Sequence, residues 1–310
     1  MKTLTLPGTD LTTSAVISGQ MRIEEHTDDH IRALFDAALD VGINLFDHAD
    51  IYGSHIHACE ERFAAALRLS PAQRAEIVLQ TKAGIVPSGP YFDFSYEHIV
   101  ESVEGSLRAL QTDYVDILLL HRPDALVEPE EVARAFDDLA SAGKVHTFGV
   151  SNHTPAQIDL LARHVNQPLV INQIQLSITH APAVAQGLAM NMAGLDQSIS
   201  RDLGIIDYCR VHDIAVQAWS PFQAALFNGV FLGNPDYPEL NEVIDRLAAE
   251  YDVAPEAIAT AWITRHPAGI QVVLGTTNPD RLRAASAGAD LSLTRPQWYE
   301  LTRAAGHTIP

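Results

Sequence analysis

The strongest constraint on the fold of this chain is an alternation. Eight short apolar runs, at 15–18, 43–46, 77–80, 115–120, 145–150, 169–174, 214–219 and 270–274, are separated by longer stretches with helical periodicity. Most of the runs are apolar at successive positions, as parallel strands covered on both faces should be. The stretches between them carry helix signals. Ile31, Leu34, Phe35, Ala38 and Val41 share one face after Thr27, an expected N-cap, and Ile99, Val103, Leu107 and Leu110 do the same after Ser95. Asn278 and Pro279 before 280–287 give an Asn cap with proline at the first helical position. Eight βα units in 310 residues, with no linker-like or low-complexity stretch, predict one domain over 1–310. Its fold class is α/β, a (β/α)8 TIM barrel. An open doubly wound sheet is the alternative. It loses because Ser18-Gly19-Gln20-Met21 after the first run lacks a G-x-G-x-x-G fingerprint.

Two additions to the plain barrel are expected. Residues 4–6 and 11–13 flank the turn Pro7-Gly8-Thr9-Asp10 and predict an N-terminal β-hairpin that closes the barrel floor. Residues 176–200 and 221–240 form extended loops after strands six and seven, where barrel enzymes place substrate-shaping segments.

Charge and cysteine content narrow the function. With 20 Lys+Arg against 39 Asp+Glu, the net charge of −19 argues against nucleic acid or an anionic membrane surface as partner. Cys59 and Cys209 fit neither a disulfide framework nor a cysteine zinc site. No apolar stretch reaches the roughly 18 residues of a membrane span. The N-terminus lacks a signal-peptide core, so a cytoplasmic location is the default expectation. Lysine occurs only at Lys2, Lys82 and Lys144.

In a barrel, functional groups belong at the C-terminal ends of strands. Asp47 and Tyr52 follow the second run, Lys82 the third and His121 the fourth. Ser151 and Asn152 follow the fifth, and Asn172 and Gln173 lie in the sixth. One polar residue at a strand end is ordinarily a cap. Four ionisable groups of complementary type on three consecutive strand ends make a proton donor. Free tyrosine has a pKa of about 10, too high for efficient acid catalysis near neutrality. A nearby ammonium is expected to lower it, and a buried lysine needs a carboxylate such as Asp47 to stay charged. His121 can hydrogen-bond the same carbonyl oxygen and stabilise developing negative charge.

The segment Gly42–Gly53, containing Asp47 and Tyr52, is joined by Gln80-Thr81-Lys82, Leu118–Asp124 around His121, and Gly143–Asn152. With Asn172-Gln173, Ala218–Pro221 and Gly275–Arg281, these motifs closely resemble the aldo/keto reductase superfamily, most of all its general bacterial oxidoreductase branch. The resemblance runs over essentially the whole chain. It implies a catalytic tetrad of Asp47, Tyr52, Lys82 and His121, with Tyr52 as general acid. It also implies NADPH-dependent reduction of a small-molecule aldehyde or ketone to the alcohol. The nicotinamide carboxamide would be held by Ser151, Asn152 and Gln173, and its ring would stack on Trp219. Gly19, Gln20 and Met21, with Asp47 and the segment Ser220, Pro221, Phe222 and Gln223, would line the cofactor channel. Gly275, Thr276, Thr277, Asn278 and Arg281 would receive the adenosine phosphate, aided by free N–H groups at the helix start.

Many NADP-specific members carry lysine where this chain has Gly275. Arg281 remains for a 2′-phosphate, so NADPH is favoured and NADH is the alternative. Leu176, Met190, Met192, Phe222, Phe227 and Phe231 predict an apolar mouth suited to hydrophobic or aromatic carbonyls. His48 either faces the substrate pocket or is structural. His55, His57 and Cys59, beside Glu60, read as a solvated loop in preference to a metal site, and Cys209 reads as core. Two other functions are weighed: a Schiff-base enzyme with Lys82 as nucleophile, and a non-catalytic nucleotide-sensing protein of the same fold. A monomer is favoured.

Overall fold

The computed structural model describes residues 1–224 and 229–310. Eight parallel strands close into a barrel. Strands one to eight are Val16–Gly19, Leu45–Asp47, Val78–Ala83, Val115–Leu120, Val145–Ser151, Leu169–Gln175, Ala215–Trp219 and Gln271–Leu274. Each pairs with the next. Strand eight closes on strand one through Val272↔Val16, Val273↔Ile17 and Leu274↔Ser18. Every predicted run seeds one strand. The ladder then continues beyond the apolar residues to include Asp47, Lys82, Ser151 and Gln175. These polar ends stay in register because their side chains find partners in and above the barrel interior.

Alternation along the strands separates two cores. Ile17, Leu45, Val78, Ile117, Leu119, Ile171, Ala215 and Val273 fill the interior. Phe46, Leu79, Leu118, Phe148, Val216 and Val272 face outward onto helical residues such as Ile31, Leu34, Val103 and Phe136. Full burial of each large apolar side chain stabilises by about 1.5–3 kcal/mol, so both faces of each strand favour this register.

The N-terminal hairpin forms between Thr3–Thr5 and Thr12–Ser14. Leu6 is fully buried in the interior cluster, with Leu4 and Leu11 packed against it. The hairpin therefore plugs the floor of the barrel, as expected from its position. The helix starts also match their signals. Thr27 accepts from His30 N–H at the head of Asp28–Asp40, and Ser95 from His98 N–H at the head of Tyr96–Leu110.

The connection after strand six is more ordered than a loop. It contains a helix, Pro182–Leu188, and a 3₁₀ turn, Asp196–Ser198. A two-strand ribbon, Ile85–Val86 with Tyr91–Phe92, follows strand three and had no clear sequence signal. Among the described residues, no helix is long and apolar enough to cross a membrane.

Candidate active site

Asp47 ends strand two and lies opposite Gln80 of strand three, two residues before Lys82. Lys82 Nζ is 2.7 Å from each carboxylate oxygen of Asp47, 2.8 Å from the His48 carbonyl and 3.3 Å from the Tyr52 hydroxyl. An ammonium has three protons, and these three residues supply its acceptors. Lys82 is only 1% exposed and lies beneath the surface of the cleft. Burial alone would lower its pKa; the Asp47 carboxylate and Tyr52 together outweigh that and hold it above the ordinary lysine value. Lys82 is therefore a fixed cation.

Asp47 is oriented by more than this pair. It accepts from Gln80 Nε2 at 2.5 Å and from Gln173 Nε2 at 3.1 Å. Gln80, Gln173, Gln217 and Gln271 form a connected amide layer inside the barrel. Gln217 Oε1 accepts from Gln80 at 2.9 Å and from Gln173 at 3.0 Å. Gln217 Nε2 donates to Gln271 at 3.3 Å. The layer braces the Asp47 carboxylate through Gln80 and Gln173. Of the layer's glutamines only Gln173 was given a role from the sequence; Gln80 was noted only as part of the motif leading to Lys82, and Gln217 and Gln271 not at all.

Tyr52 stands on the loop after strand two, where Gly53 turns the chain with φ +105. A Cβ at Gly53 would come within 2.7 Å of Ala58 Cβ and 2.8 Å of Glu24 Oε2, so the turn needs glycine. The expected lowering of the tyrosine pKa is not what the site produces. Burial raises it, and although Lys82 pulls it down, Asp47 pushes it up, for a net upward shift. Burial is the largest cause, and the pull of the ammonium is offset because it comes paired with its own counter-charge. Tyr52 is thus held in its neutral form, and its hydroxyl accepts a hydrogen bond from Lys82.

His121 follows strand four, with its ring edge-on to Tyr52 at 5.9 Å between centroids. Burial, then the charges of Lys82 and Arg122, push its pKa well below the ordinary value. The ring is therefore held in its neutral form. Asn152, at φ +62, links three strand ends. Its Nδ2 donates to the His121 carbonyl at 3.3 Å and to Ser151 Oγ at 2.8 Å, and its Oδ1 accepts from Trp219 Nε1 at 3.0 Å. Ser151 Oγ donates to the Gln173 carbonyl at 2.9 Å.

These residues open into a cleft of about 1040 Å³ across the C-terminal ends of the strands. It brings together Gly19, Met21, Asp47, Tyr52, His121, Ser151, Asn152, Gln173 and Trp219. It continues past Ser220, Pro221, Phe222 and Gln223 to Gly275, Thr276, Thr277, Asn278 and Arg281. Gln20 is not part of the lining. Its side chain is buried and donates to Ser18 O at 3.0 Å and Ser18 Oγ at 2.8 Å. Arg22, Arg122, Leu232 and Glu256 also line the cleft, and none was singled out from the sequence. Arg122 was visible in principle as the neighbour of His121.

Several expectations need correction. The helix Pro279–Ser286 does not offer free N–H groups at its start. Asn278 Oδ1 accepts from the Asp280 and Arg281 N–H groups, and proline has none. Anion attraction at that end therefore rests on side chains. Arg281 lies 3.6 Å from Glu256, and Arg22 donates to the Gly275 carbonyl at 3.0 Å.

The apolar mouth is also reduced. Leu176 and Phe231 are fully buried, Met190 is exposed, and neither Met190 nor Met192 lines the cleft. Phe222 remains, and Phe227 lies outside the described residues. His48 is structural: it is fully buried, edge-on to Phe63, with its pKa lowered to about 3. His55, His57 and Cys59 reach different partners: Glu61, Glu60 and the Met21 carbonyl. Only His55 is well exposed, because the helix Ala58–Leu67 takes in Cys59 and Glu60 and buries them, so the solvated-loop reading holds only for the residues before it. Cys209 is core.

A buried ion pair beneath a tyrosine and a histidine, at the head of a long cleft over a parallel barrel, belongs to the barrel oxidoreductases that act on carbonyl compounds. The chain is a member of the aldo/keto reductase family, whose model matches residues 15–305. It is 37% identical over 314 residues to an oxidoreductase of Bacillus subtilis, YcsN, covering 97% of each chain. It is 36% identical over 309 residues to a 6-dehydroglucose reductase of Agrobacterium fabrum, covering 96% of each. A crystal structure of a thermostable aldo-keto reductase bound to the inhibitor epalrestat shares the fold. Its TM-score is 0.77 at 20% identity, over 98% of this chain and 100% of that one. Family membership makes this chain an NAD(P)H-dependent oxidoreductase.

Proposed function

We propose that this protein reduces an aldehyde or ketone to the alcohol with NADPH, with Tyr52 as the general acid. The observation that carries the reading is the contact between Lys82 Nζ and the Tyr52 hydroxyl at 3.3 Å, above Asp47. Because Lys82 donates to the tyrosine oxygen, the phenolic proton is left for a carbonyl oxygen in the cleft. His121, held neutral by burial, offers that oxygen a second hydrogen bond. Developing negative charge then faces a fixed cation one hydrogen bond away, which is electrostatic preorganisation.

The residues present fit a nicotinamide dinucleotide. The indole of Trp219 and the amides of Asn152 and Gln173 stand beside the tetrad, and the far end of the same cleft carries Arg22 and Arg281. That sequence of surfaces suits a flat ring with a carboxamide at one end and phosphate at the other. When bound, the reduced nicotinamide supplies the hydride. Arg281 and Arg22, with Thr276 and Thr277 as neutral donors, would favour a 2′-phosphate and hence NADPH.

A Schiff base at Lys82 fits the geometry poorly, because the amine lies under Asp47 and Tyr52 and does not line the cleft. The test is a carbonyl panel assayed with NADPH and NADH. Turnover with NADPH that collapses in Tyr52→Phe supports the reading. Tight NADPH binding with no turnover across the panel would replace it with a sensing role.

A further inference from the structure

We propose that Arg122 selects carbonyl substrates that also carry an anionic oxygen group, a carboxylate or a phosphate. The inference rests on the carbonyl-reductase reading and names the substrate class of that same cleft.

Arg122 follows His121 directly at the end of strand four and lines the catalytic cleft. It is half-buried, and its guanidinium lies over the Trp219 ring at 5.8 Å from the centroid. Among the described residues, it has no hydrogen bond or ion pair. The other buried or half-buried arginines all have partners. Arg32 and Arg62 face Asp28, Arg74 is 2.8 Å from Asp116, and Arg265 donates to the Leu293 carbonyl at 2.7 Å. A partly desolvated guanidinium without a counter-charge is costly, so its isolation points to a ligand.

The carboxylates that could have neutralised it are turned elsewhere. Asp124, two residues on, accepts from the backbone N–H groups of Phe94 at 3.0 Å and Leu126 at 2.8 Å. Asp47 belongs to Lys82, and Glu256 lies by Arg281. In a chain of net charge −19, this leaves a cation aimed into the cleft beside the proton donor. Burial lowers the Arg122 pKa, and Tyr52 opposes that shift, so the two groups share one electrostatic environment. A guanidinium presents a planar fork that matches an oxyanion with two parallel hydrogen bonds, which a neutral group cannot reproduce. Its placement gives the substrate two fixed ends: the carbonyl at Tyr52 and His121, and the anion at Arg122.

The experiment compares kcat/KM for matched pairs in wild type, Arg122→Met and Arg122→Lys. The pairs are succinic semialdehyde with its methyl ester, and glyceraldehyde 3-phosphate with glyceraldehyde. Wild type should prefer the charged member of at least one pair. The charged-to-neutral ratio should fall about 10- to 100-fold in Arg122→Met, with Arg122→Lys in between. A fall confined to one pair identifies that anion as the one recognised. An unchanged ratio in both pairs overturns the proposal. So does an unchanged ratio with a raised KM for NADPH, which would assign Arg122 to the cofactor. Turnover of other carbonyls in a wider panel with no reduction of these four compounds by wild type also overturns this proposal and leaves the carbonyl-reductase reading standing, whereas no turnover across that panel removes both.

Discussion

Lys82 Nζ is equidistant, at 2.7 Å, from both carboxylate oxygens of Asp47. The pair is almost entirely excluded from solvent, and together with burial, the larger effect, it sets the behaviour of the tyrosine above it. A lone ammonium would have drawn the phenolate form down toward neutral pH. The compensated pair leaves Tyr52 protonated and supplies a directed N–H in place of a net charge.

Removing one member of such a pair strands a buried charge. Asp47→Asn is therefore expected to cost about 3–5 kcal/mol of stability, read as a lower urea midpoint. The double variant Asp47→Asn with Lys82→Met should lose less than the sum of the two singles, because the second change removes the stranded charge. The pH dependence has a definite sign. The raised Lys82 pKa gives a contribution fully present below the unfolded lysine value of about 10.4 and lost as pH rises through the folded value. The difference in urea midpoint between wild type and Lys82→Met should shrink only in strong alkali.

His48 and Asp50 act in opposite directions in acid. His48 is lowered to about 3 by burial and then by Lys82. Its penalty is absent above about pH 6.5 and grows as pH falls toward the folded value. Asp50 is raised to about 7 by burial and then by Glu60. Its contribution is complete below about pH 3.8 and is lost as pH rises through 7. His48→Phe should gain on wild type by about 1–2 kcal/mol between about pH 7.5 and pH 5. Asp50→Asn should gain on wild type above about pH 7 and fall back at about pH 5. Denaturant titrations across this range check both.

Cofactor choice tests the far end of the cleft. Arg281→Ala is expected to raise the KM for NADPH about tenfold more than that for NADH, as loss of a charge-assisted phosphate contact would. Arg22→Ala should shift the same ratio in the same direction. Equal losses with both cofactors would mean that neither arginine reads the 2′-phosphate.

The barrel was legible because its signal is repetitive. Eight apolar runs and capped helices such as those at Thr27 and Ser95 report local preferences that the packing reinforces. Asp47, Tyr52, Lys82 and His121 were legible because each ends a run or follows one. What escaped depended on side-chain direction. Gln80, Gln217 and Gln271 look like interruptions in strands until closure places them in one layer. Gln20 sits beside lining residues, yet its amide turns into the wall to reach Ser18. Leu176 and Phe231 lie on expected mouth loops, but the local turns carry them into the core. Asn278 was read correctly as a cap, and that same capping consumes the donors thought to await a phosphate.

The most direct test of the central claim is a single-turnover measurement of NADPH oxidation, with enzyme and cofactor premixed before an aldehyde is added. Wild type and Tyr52→Phe are compared at matched saturation. If Tyr52 delivers the proton, the variant binds cofactor but oxidises it about 10²–10⁴-fold more slowly. Oxidation at the wild-type rate in Tyr52→Phe would contradict the account.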